Sequence, residues 1–390
     1  MNKLATAMAI VALAATLAGA EEATARGLRY EARSELGEAD AGQLARELDL
    51  RFEAFQRLFR FDPALLPSRL KARAFKDEAS FDAYLTEALG ETRDGASYLH
   101  YAKSDRSELL IVRDGKESTA RAFAHQSFVQ YLRAFIPNPP AWIREGFAIF
   151  FDTLGYDAEK GELHYEENLA WLDSVKAWGT SAPSPQKVLT ADANAEASAS
   201  MSPSVFQGAS WALVSFLLNT GNEDYRRSMY EGFMLLDPEA SAAANAMTFA
   251  DRLGRWTDVT AAGEDFAAYM AGRKTFTELI EAGRTAYSAK DAEKAEDAFL
   301  DAGRLRPTHY APHYYLGLIA YERKDYALAE NQYRTSLQLG ADEALVSYAL
   351  GVNAAADGRN EDARTYLTKA KSADPARYGT RAEELMARLK

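Results

Sequence analysis

Three glycines spaced 34 residues apart, Gly283, Gly317 and Gly351, constrain this chain more than any other feature. The same interval relates Ala295, Ala329 and Ala363, then Phe299, Tyr333 and Leu367, then Ala302, Ser336 and Ala370. Pro307 and Pro375 stand 68 apart, with Ala341 midway. Register held at so many positions means one helical unit repeated, which cannot bury its apolar face alone and must stack on its neighbours. The units run over 276–309, 310–343 and 344–377, and Ala376–Lys390 supplies the polar-faced cap that the end of a stack needs.

This phase resembles the tetratricopeptide repeat. The resemblance implies a C-terminal α-solenoid in which the first helix of each pair lines a concave face. Position by position, that groove takes Ile280, Arg284 and Tyr287 from the first unit, Tyr314, Leu318 and Tyr321 from the second, and Leu345, Tyr348 and Val352 from the third. Tyrosine offers a large apolar face with a polar tip, which suits a protein or peptide partner. The alternative is that these aromatics pack on the preceding domain or on a neighbouring chain.

A chain of 390 residues exceeds one ordinary core, so the repeats leave room for a further domain over 21–275. The N-terminus precedes it with Lys3, an apolar run from Leu4 to Leu17, and small residues at Ala18-Gly19-Ala20. That is the pattern of a cleaved secretory signal peptide over 1–20. The run is about 14 residues and too short for a span of about 20, so no transmembrane segment is expected after cleavage. With no cysteine, disulfides, thiol catalysis and cysteine-type zinc sites are excluded. The expected location is a bacterial periplasm, with secretion as the alternative. A net charge of −12 argues against a nucleic-acid partner, which requires clustered Lys and Arg.

The spacing predicts strands at 28–34, Leu70–Phe75, Tyr98–Tyr101 and Leu109–Val112, a helix over 39–60, and a second helix capped by Ser80. Helices follow at 118–135 and 140–153, broken by Asn138-Pro139-Pro140. Residues 179–204, rich in Ala, Ser and Pro, read as a long mobile loop, and helices resume from Ser210 to about 272. The fold class is therefore α+β, predominantly α.

The chemistry should lie in Arg121-Ala122-Phe123-Ala124-His125-Gln126 and Trp142-Ile143-Arg144-Glu145-Gly146-Phe147-Ala148. These stretches resemble the gluzincin (MA-clan-like) metallopeptidases. That family carries His-Glu-x-x-His on one helix and a third ligand, Glu, on a second helix about twenty residues on. The resemblance places His125 as the second histidine, Glu145 as the third ligand, and the zincin-like domain over roughly 28–272. It also departs from the family where catalysis is made. Arg121 stands at the first ligand position and Ala122 at the general-base position. A guanidinium cannot ligate zinc and a methyl group cannot activate water.

Arg121 is expected to replace the metal by pairing with Glu145; the alternative is that Arg121 points to solvent and His125 is a satisfied helix histidine. His309 and His313, four apart but straddling a repeat turn, are not expected to bind metal. No catalytic residue and no cofactor are expected. The leading reading is an exported pseudo-peptidase acting as a protein-binding or scaffolding factor. The alternative is an active zinc metallopeptidase in which His125 and Glu145 gain a third ligand from His164 or Asp152. A carbohydrate or cell-wall binder rests on tyrosine content alone.

Overall fold

The computed structural model describes residues 22–101, 104–165, 167–256 and 258–389. The signal peptide expected over 1–20 lies outside them. The chain divides into two compact units, Met1–Met270 and Ala271–Lys390. It is predominantly helical, with a small mixed sheet. Among the described residues no helix is long and apolar enough to cross a membrane.

In the first unit, β1 (Ala23–Arg26) and β2 (Tyr30–Ser34) form an antiparallel hairpin. Helix α1 (Glu38–Phe59) leads to β3 (Leu70–Phe75), then α2 (Glu78–Leu89), β4 (Ala96–Leu99) and β5 (Glu108–Val112). The sheet order is β1-β2-β3-β5-β4, with β2–β3 and β3–β5 parallel. Side chains alternate across β5. Leu109 and Ile111 join the main core with Leu44, Leu48 and Phe55 of α1, while Leu110 and Val112 face Phe81 and Leu85 of α2. Helices on both faces explain why all five residues of β5 are buried. Ser80 does not cap α2. Asp77 does, accepting from the Ser80 amide at 2.8 Å, and the Ser80 hydroxyl instead donates to Glu35.

Helix α3 (Glu117–Phe135) adds Phe123, Phe128 and Tyr131 to the core. Helix α4 (Ala141–Phe150) follows Pro140, which serves as its N-cap residue. The expected helix to 153 stops at Phe150. A hairpin of β6 (Gly155–Asp157) and β7 (Glu162–His164) follows, then α5 (Ala170–Ala177).

The predicted mobile loop is instead ordered. It holds α6 (Pro185–Leu189) and α7 (Ala195–Ala199), and α8 (Pro203–Asn219) begins inside it. The serines and prolines responsible for its loop-like composition are helix starts. Ser184 and Ser202 cap helices that open on Pro185 and Pro203, and Asn194 caps the third. Val188 and Leu189 are buried in the core. Helix α8 lies against α4, and a Cβ on Gly146 would meet the Ser210 carbonyl oxygen at 2.5 Å. Helices α9 (Glu223–Met234), α10 (Ala242–Trp256) and α11 (Val259–Gly272) complete the bundle, where Phe233 stacks on Phe59 at 4.4 Å.

The second unit is a run of helix hairpins. These are α12 (Phe276–Ser288) with α13 (Ala292–Leu305), α14 (Tyr310–Glu322) with α15 (Tyr326–Gln338), and α16 (Glu343–Ala356) with α17 (Asn360–Ala373). Helix α18 (Pro375–Arg388) follows and buries Tyr378 and Ala382. The repeating glycines sit under the large residue of the partner helix. A Cβ would fall 2.6 Å from the Phe299 ring at Gly283, 2.5 Å from Tyr333 at Gly317 and 2.7 Å from Leu367 at Gly351. The turns repeat as well. Lys290, Lys324 and Gly358 adopt positive φ, and the amides of Asp291, Asp325 and Arg359 each reach back to the carbonyl five residues earlier at 2.9 Å.

Candidate functional site

Helix α3 presents Arg121, Ala122 and His125, and α4 presents Arg144 and Glu145. The Glu145 carboxylate acts electrostatically on His125, whereas the ion pair of Arg121 is made within α3. Arg121 pairs with Glu117, one turn earlier on its own helix, at 3.2 Å. Glu145 is held by its chain neighbour: the Arg144 Nε donates to Oε1 at 3.0 Å, and the Gln207 amide of α8 approaches Oε2 at 3.4 Å. The expected Arg121–Glu145 pair is thus replaced by two others. An i to i+4 pair costs Arg121 no reorientation, whereas Glu145 has a guanidinium beside it from α4 itself.

Burial pushes the His125 imidazole below its ordinary range. The Glu145 carboxylate opposes that shift and Arg144 reinforces it. Arg133 is likewise pushed down, first by burial and then by Arg144, so two guanidiniums share the neighbourhood of one carboxylate. Ala122 packs against the hydrophobic core.

The further ligands that an active enzyme would need lie elsewhere. Asp152 and His164 line a cleft with Arg121. The Asn168 amide donates to both oxygens of Asp152 at 2.9 Å. Burial pushes this carboxyl up to about 6, against the opposing influence of Arg121 and Asn168. The His164 ring lies over Gly155, its cross-strand partner. Among the described residues no group of three or more His, Asp or Glu side chains could hold a metal ion. Glu145, the third ligand that the resemblance implies, is ion-paired with Arg144 at 3.0 Å. His309 caps α14, accepting from the Ala311 amide at 3.2 Å, while His313 bonds Gln332 at 2.9 Å.

In the second unit, Ile280, Tyr287, Tyr314, Leu318, Tyr321, Leu345, Tyr348 and Val352 are all half-buried, and Arg284 is exposed. Tyr287 donates to Glu322 at 2.7 Å, and Tyr348 stacks on Tyr378 of α18 at 5.0 Å. Sequence reasoning missed Arg144, Gln207 and Asn168. Adjacent residues on a helix are not expected to face one another, and the other two come from distant elements.

No protein-family model matches the chain, and no curated protein matches it in sequence.

Proposed function

We propose that this is an exported, periplasmic, non-catalytic protein in which a gluzincin-like metallopeptidase domain has lost its chemistry and tetratricopeptide repeats bind a protein or peptide partner. One observation carries the reading: the carboxylate at the third-ligand position is already ion-paired with Arg144, while Ala122 occupies the base position. A water molecule there would have neither a Lewis acid nor a general base to activate it. The half-buried tyrosines on α14 and α16 supply the aromatic anchors that a partner groove needs.

The experiment is capture from a periplasmic extract, repeated with the identified partner purified. Tyr314→Ala with Tyr321→Ala, and separately the exposed Arg284→Glu, should abolish binding of the purified partner while the far-ultraviolet spectrum stays unchanged. Undiminished binding by both variants would refute the groove. Chelator-sensitive peptide cleavage by the purified protein would instead support the zinc-peptidase alternative.

A further inference from the structure

The first unit also carries an open cleft of about 540 Å³, bounded by α1, the end of β5, the first turns of α3 and the β6–β7 hairpin. Arginines from three separate segments line it: Arg51 of α1, Arg113 just beyond β5, and Arg121 of α3. Their carboxylate partners are unevenly committed. Glu47 is buried, bonded to Arg51 at 2.9 Å and facing Arg113 at 3.9 Å. The Arg113 Nε stands 3.1 Å from Asp40, yet its Nη2 is buried with no hydrogen-bond partner. Arg121 pairs with Glu117, whose side chain is 84% exposed, and a pair so open to solvent is easily exchanged for another carboxylate.

Asp152 is the remaining acid on the wall. Asn168, itself buried, fixes both of its oxygens, and Arg121 is the cation that faces it. Half-buried Tyr156 supplies apolar surface in the same cleft, which the buried Ile111 and Phe123 also line.

We propose that this cleft is a binding site for the carboxylate of an amphiphilic acid, with Arg121 as its forked partner and Ile111, Phe123 and Tyr156 as the apolar wall. Guanidinium geometry matches a carboxylate in two parallel hydrogen bonds, which an ammonium cannot reproduce. A free organic acid and the C-terminus of a peptide share this chemistry. The inference uses residues of the first unit alone and stands apart from the groove reading.

The test is calorimetric titration of the full chain with 3-phenylpropanoate, its primary amide, and the tripeptide Ala-Ala-Phe with a free or amidated C-terminus. The acids should bind at least about ten-fold more tightly than their amides, and Arg121→Gln should erase that difference while Arg121→Lys keeps part of it. A tripeptide acid that binds more tightly than phenylpropanoate identifies a peptide terminus as the ligand, and equal binding identifies a small acid. The Tyr314→Ala variant should bind the acids unchanged, which separates this site from the groove. Acid and amide binding alike, no acid binding up to about 10 mM, or unaltered acid affinity in Arg121→Gln would each overturn the proposal.

Discussion

Arg144 donates from Nε to Oε1 of Glu145 across 3.0 Å, so this carboxylate is charge-paired within its own helix. On the proposed reading, installing a His-Glu-x-x-His motif by Arg121→His with Ala122→Glu therefore addresses only half of the site. The double variant should take up zinc weakly in equilibrium dialysis, and adding Arg144→Ala should raise the affinity by about ten-fold or more. Zinc uptake by the double variant alone, unaffected by Arg144→Ala, would show that the pair does not compete with the metal.

Gly317 has no room for a side chain. A methyl group there would lie 2.5 Å from the buried Tyr333 ring. Gly317→Ala should gain up to about 1 kcal/mol of helix propensity and lose more to overpacking, for a net loss of about 1–2 kcal/mol in urea unfolding. Gly303 on α13 is the control. Its added methyl would meet only Pro312, at an ordinary 3.7 Å, so Gly303→Ala should stabilise by about 0.5–1 kcal/mol. Equal effects at the two positions would contradict the close helix contact.

Asp152 makes stability depend on pH in a defined direction. Its carboxyl is raised from 3.8 to about 6 by burial, so protonation favours the folded state. That contribution is complete below pH 4 and fades as pH rises through 6. The displacement corresponds to about 3 kcal/mol at most. Relative to wild type, Asp152→Asn should therefore be more stable at pH 7 than at pH 4. Urea unfolding of both proteins at both pH values checks this, and a pH-independent difference would refute the assignment.

Asp192 lies in the segment whose composition resembles a loop, yet its Oδ2 accepts the Ala141 amide at the start of α4 at 2.7 Å. Asp192→Ala should cost about 1 kcal/mol, and Asp192→Asn less, because the amide oxygen can still accept. No loss on Asp192→Ala in thermal unfolding would mean that this segment does not anchor α4.

The elements that could be read from the sequence are those set by local periodicity. Strand β3 falls at Leu70–Phe75 as its alternation predicts, and α1 follows the spacing of Leu44, Leu48, Phe52 and Phe55. Strand β1 was hidden because Ala-Thr-Ala-Arg has no apolar alternation, and it is a strand only through its pairing with β2. The helices over 185–199 were hidden by composition, although Ser184-Pro185 and Ser202-Pro203 carry recognisable start signals. Within the site, the Glu145 carboxylate acts electrostatically on the His125 imidazole, twenty residues earlier in the chain. The direction of Arg121 was not legible, since its i to i−4 partner Glu117 competes with a longer reach across the fold. Lys290 and Lys324 hide a further repeating feature, because only Gly358 advertises the left-handed turn that all three adopt.

The most direct test of the central claim is the zinc content of natively purified protein, measured by plasma mass spectrometry beside Glu145→Ala. With Glu145 committed to Arg144 and no base at Ala122, the account predicts far less than one equivalent in wild type and no change in the variant. One tightly held equivalent that disappears on Glu145→Ala would contradict it.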